Sequence, residues 1–348
     1  MTHVSYSVRP SMDDVAREAG VSKITVSRVF RNHPYVGEEM RARVSGAARR
    51  LGYLPNPLVH ALMSQVRQRR VKSEGVVLGL LNPLGRPLAL HESERVRGIW
   101  AGMQQQAERS GYRIEEFDTG PAGLSVERCN RILRARGITG LIIMFFREGE
   151  AGIQLDWDRL ASATIGFSLR EPRIHRAVPD HYHNARLLAA ELISRKFERP
   201  ALVVDTNSAV RTDHLWEAGL SRWSALQPLE EKVPVFMEED LYSQKAQARL
   251  AVWLRKQKPD VVISNHDFVP AFMEGLHLRW RPAFAQLDLS RESGMAGIDQ
   301  NFPAVGAAAV DMISGQLMRN ESGIPTIPKT VLIPGEFRAG SLRAAGAR

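Results

Sequence analysis

A single cysteine, Cys129, in 348 residues leaves no partner for a disulfide and no set of thiolates for a structural zinc site. That scarcity fits a reducing compartment, and Cys129 reads as one more small buried side chain. Long apolar runs are missing too. The longest uninterrupted one, Leu141 to Phe146, falls far below the ~20 residues that span a bilayer. The opening Met1-Thr-His-Val-Ser has neither the basic nor the apolar region of an export signal, so a soluble, cytoplasmic protein with no membrane partner is expected. Also absent are a glycine-rich phosphate loop, a Gly-x-Ser-x-Gly elbow and a His-Glu-x-x-His helix, and no carboxylate pair stands at a recognisable catalytic spacing. His175, His181 and His183 lie close to Asp180 in the chain, but a surface cluster at a loop-to-helix junction is a plainer reading than a metal site. The expectation is a protein that is not an enzyme and carries no cofactor or metal.

What the chain does have is positive charge, unevenly placed. Of the net +9, residues 1–72 hold 13 Lys and Arg against 5 Asp and Glu, or +8, leaving 34 against 33 for residues 73–348. A compact basic segment ahead of a near-neutral body is the footprint of a nucleic-acid-binding head, because neutralising phosphates supplies most non-specific affinity. Within that segment Ser11 and Asp14 have capping-box spacing, and Met12, Val15, Ala16 and Ala19 form one apolar stripe closed by Gly20. Ser22 caps a second helix that sorts Val26, Val29 and Phe30 to one face and Ile24, Ser27, Arg28 and Arg31 to the other. A third, from about Glu38 to Leu51, puts Met40, Val44, Ala47, Ala48 and Leu51 inward and stops at Gly52. Three short helices with a tight glycine turn and a basic second helix predict a helix-turn-helix.

Asn56-Pro57 pairs an N-cap with the residue suited to the first helical position, and an apolar stretch through Met63 leads into a basic tether ending at Lys72. From Gly75 onward, strand candidates alternate with helical stretches: 76–81, 112–117, 141–146, 164–169, 201–205, 233–237, 261–265 and 284–289. Such alternation predicts parallel sheets flanked by helices, and a break near Arg170 to Pro179 divides them into two doubly wound lobes. Ligands of such sheets sit beyond the carboxyl ends of strands, which brings forward Asn82, Asp180, Asp267 and Asp288. Asp is equally an ordinary helix cap, so for Asp180 and Asp267 both roles stay open. Trp100 and Tyr242 can stack on a ring, or simply belong to the core.

The run from Asp14 to Val29, Asp-Val-Ala-Arg-Glu-Ala-Gly-Val-Ser-Lys-Ile-Thr-Val-Ser-Arg-Val, followed by Leu51-Gly-Tyr-Leu-Pro-Asn-Pro, resembles the DNA-binding signature of the lactose-repressor (LacI) family. By position, the resemblance implies that Lys23, Ile24 and Arg28 read base edges, and that Ser22, Thr25, Ser27 and Tyr53 contact phosphates. The chemistry suits those roles: Arg28 can donate twice to a guanine, Ile24 can touch a thymine methyl, and hydroxyls fix register on the backbone. Arg31 stands where the family commonly has asparagine. In the hinge, the resemblance implies a helix opened by Asn56 that forms on operator DNA and wedges Leu62 into the minor groove, although Val59 and His60 replace the usual Ala and Arg.

For the body, the resemblance implies a periplasmic-binding-protein-like core whose chain crosses between lobes more than once. The expected layout is an N-terminal extension 1–10, a head 11–55, a hinge 56–74 and a body 75–348. Lobe 1 then comprises about 75–177 and 300–322, and lobe 2 about 178–299 and 323–348, with the last strand, Thr330 to Ile333, in lobe 2. Asp267 matches an acid that grips effector hydroxyls, with His266 in place of its asparagine partner. The family's pocket arginine aligns with Trp216, and Arg211 is the residue placed to compensate. Partners implied are operator DNA, a sugar-like effector and a second copy of the chain, as a homodimer; the C-terminus lacks a heptad run for further zipping. The rivals are a solute-binding protein and a carbohydrate-active enzyme carrying a DNA-binding head.

Overall fold

The computed structural model describes residues 12–30, 35–51, 53, 76–146, 151–221, 233–289 and 294–342. The hinge 56–74, with Asn56 and Leu62, lies outside them, as do Ser11, Arg31 and Gly52. In the head, helices α1 (Met12–Glu18), α2 (Lys23–Phe30) and α3 (Glu38–Leu51) surround one cluster of buried residues, among them Val15, Ala19, Val26, Val29, Val44 and Ala47. Gly20 makes the turn between α1 and α2 at φ +61°, where a side chain would be strained although there is open space around it. The Val21 N–H donates to the Ala16 carbonyl across that turn at 2.9 Å.

The first six-stranded sheet is parallel throughout, in the order β13-β7-β5-β3-β1-β2. Its strands are β1 (Val76–Asn82), β2 (Tyr112–Asp118), β3 (Gly140–Ile143), β5 (Ala161–Ile165), β7 (His175–Pro179) and β13 (Thr330–Ile333). Beside it, β4 (Ala151–Gly152) and β6 (Leu169–Glu171) form a small parallel pair. Strand β3 is buried at every position, as expected of a parallel strand covered on both faces. Ile142 faces α4 (Glu94–Arg109) and α11 (Phe302–Arg319), whereas Leu141 and Ile143 face the side of α5 (Val126–Ala135). Cys129, on α5, is fully buried, and burial pushes its thiol up to about 11.

Helices α4 and α11 meet backbone to backbone. A Cβ on Gly102 would lie 1.9 Å from the Pro303 carbonyl oxygen, and one on Gly306 would lie 2.1 Å from that of Ile99. Only glycine permits that approach.

The second sheet runs β14-β12-β11-β10-β8-β9, parallel except for its edge pair β12/β14. Its strands are β8 (Pro200–Asp205), β9 (Val235–Glu238), β10 (Val261–Ser264), β11 (Ala283–Gln286), β12 (Gly297–Asp299) and β14 (Glu336–Arg338). Helices α6 (His181–Ser194), α7 (Thr206–Arg211), α8 (Leu215–Leu220), α9 (Gln244–Gln257) and α10 (Phe268–Gly275) connect them.

Three differences from the sequence expectation stand out. Thr330–Ile333 is in the first sheet, pairing Val331 with Ala177, and the second lobe's closing strand is instead Glu336–Arg338. The supposed break at Arg170 to Pro179 contains β7, a first-sheet strand hidden in sequence by its His175-Arg176 start. Arg176 is tolerated there because its guanidinium lies over the Phe167 ring at 5.5 Å. Finally, 164–169 is not one strand: Gly166, at φ +80°, turns the chain between β5 and β6.

The chain crosses between sheets three times, after β7, after β12 and after β13. At the junction the Asp180 N–H donates to the Ile333 carbonyl at 2.8 Å. Fully buried Asn184 donates to Gln300 Oε1 at 2.6 Å and accepts from the Gly335 N–H at 2.8 Å. One side chain thus ties the first crossing to the other two.

Candidate nucleic-acid interface and interlobe cleft

On the head, burial of Val26 and Val29 forces the opposite face of α2 outward. Ile24 is 65% exposed, and Ser22, Lys23 and Arg28 are exposed as well, with Thr25 and Ser27 half-buried. An exposed isoleucine amid hydroxyls and cations offers a mix of apolar and polar contacts that base edges and phosphates of a major groove can use. Ser22 Oγ accepts from the Thr25 N–H at 3.1 Å, which caps α2 and fixes its first turn. The Tyr53 ring packs on Phe30, centroids 5.6 Å apart, which joins the end of α3 to α2. Burial raises the Tyr53 hydroxyl pKa and nearby Lys23 opposes that shift. The structure therefore brings Ser22, Lys23, Ile24, Thr25, Ser27 and Arg28 onto one short helix and its cap, with Tyr53 alongside.

Between the lobes lies a cleft with two parts. An inner pocket of about 60 Å³ is walled by Phe145, Phe167, Trp216, Phe302 and aliphatic side chains. An outer mouth of about 880 Å³ is rimmed by acids, among them Glu92, Glu239, Asp240 and Asp267. Arg95, Arg211 and Asp288 line both, forming a charged layer where the two parts meet. Arg95, from the first turn of α4, reaches Asp288, beyond β11, at 3.1 Å, a largely buried ion pair that joins the lobes. Burial raises the Asp288 carboxyl, against the pull of Arg95. Burial lowers the Arg211 guanidinium to about 10, and Arg95 adds to the effect. Burial also pushes the His181 imidazole down to about 3, again with Arg95 and Arg211 beside it, so it is neutral in the pocket wall.

At the mouth, His266 Nε2 bonds Asp205 Oδ2 at 2.7 Å, while Asp205 Oδ1 accepts from the Ser208 N–H at 2.8 Å and caps α7. Burial alone would raise the Asp205 carboxyl, but these bonds outweigh it and hold the group well below the usual carboxylate range. Tyr242, 61% exposed, packs edge-on to His266 at 5.7 Å and against Phe268 at 4.6 Å.

Of the residues picked from sequence, Arg211, Trp216, Tyr242, Asp267 and Asp288 are in the cleft lining. Asn82 is not. It is the fully buried last residue of β1, donating to the Arg86 carbonyl at 2.7 Å and to Glu116 Oε1 at 2.5 Å, and accepting from the Leu84 N–H. Its amide is consumed in folding the loop after the strand. Asp180 is not in the lining either: it caps α6, accepting from the His183 N–H at 2.9 Å. Asp267 makes no such cap and instead accepts from Gln286 Nε2. Trp100 packs on the core of the first lobe.

Sequence reasoning missed Arg95, Phe145, Phe167, His181, Asp205 and Phe302. His181 and Asp205 follow or end strands, so the strand-end rule reaches both once β7 is recognised. Nothing local marks Arg95, whose partner is 193 residues away. The histidines near Asp180 diverge: His181 is in the pocket wall, His183 is exposed, and His175 Nδ1 accepts from the Lys329 N–H. Among the described residues no group of three His, Cys, Asp or Glu side chains is arranged to hold a metal, and no helix is long and apolar enough to cross a membrane.

Residues 11–56 match the family described as "Bacterial regulatory proteins, lacI family". The head is thus similar to the DNA-binding domain of LacI-family regulators. Similar curated relatives include the HTH-type transcriptional regulator GntR of Pseudomonas aeruginosa, 52% identical over 56 residues, which are 16% of each chain. The HTH-type transcriptional regulator MalR of Streptococcus pneumoniae is 26% identical over 145 residues, 42% of each chain. These matches therefore span well under two thirds of the relatives' length.

Among solved structures, the lac repressor dimer bound to operator and the anti-inducer ONPF has a TM-score of 0.56 at 19% identity, covering 96% of this chain and 99% of that one. The transcriptional regulator CelR–cellobiose complex has the same TM-score at 17% identity, covering 96% and 100%. At such identities the likeness is one of fold: two parallel-sheet α/β lobes behind a small helical head, the architecture of these LacI-family neighbours.

Proposed function

We propose that this chain is a sequence-specific DNA-binding transcriptional regulator of the LacI family, a repressor acting in the cytoplasm and not an enzyme. The observation that carries the proposal is the outer face of α2, where exposed Ile24, Lys23 and Arg28 flank a hydroxyl-capped first turn above a packed head. Arg28 and Lys23 address guanine edges, Ile24 a thymine methyl, and Ser22, Thr25, Ser27 and Tyr53 the phosphates. Residues 11–55 act as the head and 56–74 as the hinge, whose Asn56 and Leu62 contact the operator, with Arg31 a further DNA contact. Two copies, held together through the body, place two α2 helices on a palindrome with half-sites about one helical turn apart.

The interlobe cleft takes a small molecule, and a sugar is the class that the family resemblance brings. A ligand that favours one lobe arrangement changes operator affinity, and the operator must change ligand affinity by the same factor. Selection of bound sequences from a random duplex pool, with the full chain at physiological salt, tests the reading. A palindromic consensus supports it; enrichment of no sequence speaks against specific recognition.

A further inference from the structure

The inner pocket holds more donors than its own acceptors satisfy. Trp216 is 3% exposed and, among the described residues, its Nε1–H has no hydrogen-bond partner; the Nε groups of Arg95 and Arg211 are likewise buried and unpartnered there. Among the described residues, Arg211 otherwise donates to Ser208 Oγ, at 3.2 Å, and Arg95 donates to Asp288 and lies over the Phe145 ring at 5.3 Å. His181, 8% exposed, leaves Nδ1 unbonded in the same wall. Each such group costs free energy when dry and unmatched, so the set calls for an acceptor from outside the chain.

Charge points the same way. Two guanidinium groups, Arg95 and Arg211, meet in this layer beside Asp288, with Asp205 acting on Arg211 from the mouth. Burial and the neighbouring Arg95 lower Arg211 more than Asp205 and Asp288 restore it, so an anion seated between the two guanidinium groups would relieve their repulsion. Below the layer the walls are Phe145, Phe167, Trp216 and Phe302 with aliphatic neighbours, suited to a flat apolar body. Above it the rim is acidic, with Glu92, Glu239, Asp240 and Asp267, which disfavours a second negative charge at the outer end of the ligand.

We infer that the cleft is built for a small monocarboxylate with a flat apolar body, its carboxylate between Arg95 and Arg211 and its body against the aromatic wall. This rests on the reading of the cleft as the effector site, and it replaces a neutral sugar with an acid as the ligand class. The arginine pair recognises the carboxylate by charge-assisted bonds, Trp216 adds a neutral donor, and the acidic rim sets the preference for one anionic group over two.

The test is thermal melting of the full chain at neutral pH with four probes: benzoate, its neutral isostere benzamide, the dianion terephthalate, and glucose. The expected result is a rise in Tm with benzoate at about 10 mM or below, with benzamide and terephthalate each weaker by about tenfold or more in apparent affinity. Glucose is expected to give no shift. Arg211→Met should erase the benzoate response, and Arg211→Lys, which keeps the charge and loses the planar fork, should retain part of it. The benzoate and benzamide comparison needs no variant, so it stands even where Arg211→Met folds poorly. A benzamide or glucose shift as large as that of benzoate overturns the proposal, as does no benzoate shift at all. Neither outcome touches the duplex selection, which reads the head, so failure of this inference and failure of the regulator reading are separable.

Discussion

The head and the cleft are built on opposite plans. The head concentrates its surface within seven residues, Ser22 to Arg28, on one helix and its cap, so neighbours in sequence are neighbours at the interface. The cleft gathers Arg95, His181, Arg211 and Asp288 from four separate segments and two sheets, and the Arg95–Asp288 pair alone spans 193 residues. A local site survives small shifts of the rest of the chain. An assembled one depends on the crossings and helix contacts that hold its parts in register. The head should therefore tolerate damage to the body better than the cleft does.

The strongest way to break that contrast is at the contact of α4 with α11. Gly102→Ala would place its Cβ 1.9 Å from the Pro303 carbonyl oxygen, so backbone must move. Overpacking of this kind costs about 1–3 kcal/mol or more. Melting of the body should drop by several degrees and the cleft should lose its ligand response, while sequence preference on selected duplexes persists. Loss of that preference together with the body would remove the distinction between local and assembled sites.

The His181 imidazole gives the contrast a pH signature. The folded protein holds it near 3, whereas the unfolded chain takes up a proton near the ordinary 6.5. Between those values the unfolded state binds more protons, so stability falls as pH drops from about 6.5 toward about 3, by up to a few kcal/mol. His181→Gln should flatten that part of the profile. An unchanged slope in denaturant titrations across the window would place the acid sensitivity elsewhere.

Arg28→Ala sharpens the other side. It should cost about 1–3 kcal/mol on an enriched duplex and relax preference at one base pair, with melting of the body unaltered. Equal loss on enriched and random duplexes would make Arg28 a phosphate contact. At the junction between lobes, Asn184→Ala removes the partners of Gly335 N–H and Gln300 Oε1 and should cost about 1–3 kcal/mol, read as a lower denaturant midpoint. The smallest effect is expected at the exposed Arg50–Glu18 pair of the head, 3.0 Å apart, where Glu18→Gln should change stability by about 0–1 kcal/mol.

These two plans also explain what could be read in the sequence. The head was legible almost to the residue, because its packing follows helical period: Val15, Val26, Val29, Val44 and Ala47 were picked by spacing and are buried. The longer buried strands of both sheets declared themselves as apolar runs. The strands that did not were β7, which opens with His175-Arg176, and β12 and β14, three residues each and too short to show a period. That is why the final crossing was misplaced, with Thr330–Ile333 assigned to the wrong lobe. In the cleft, residues after recognised strands were found when their side chains bond other side chains and not the local backbone, as with Asp267 and Asp288. Asn82 and Asp180 have the same sequence position, yet local backbone groups claim their side chains first. Position relative to a strand selects candidates; competition for hydrogen bonds decides among them.

Base reading by the exposed face of α2 is tested most directly by the ratio of affinities for an enriched duplex and a scrambled one at physiological salt. The expected ratio is about 10³ or more, carried by the residues Lys23 to Arg28. A ratio near one, with both affinities falling equally as salt rises, would contradict it and leave the head as a phosphate-binding module.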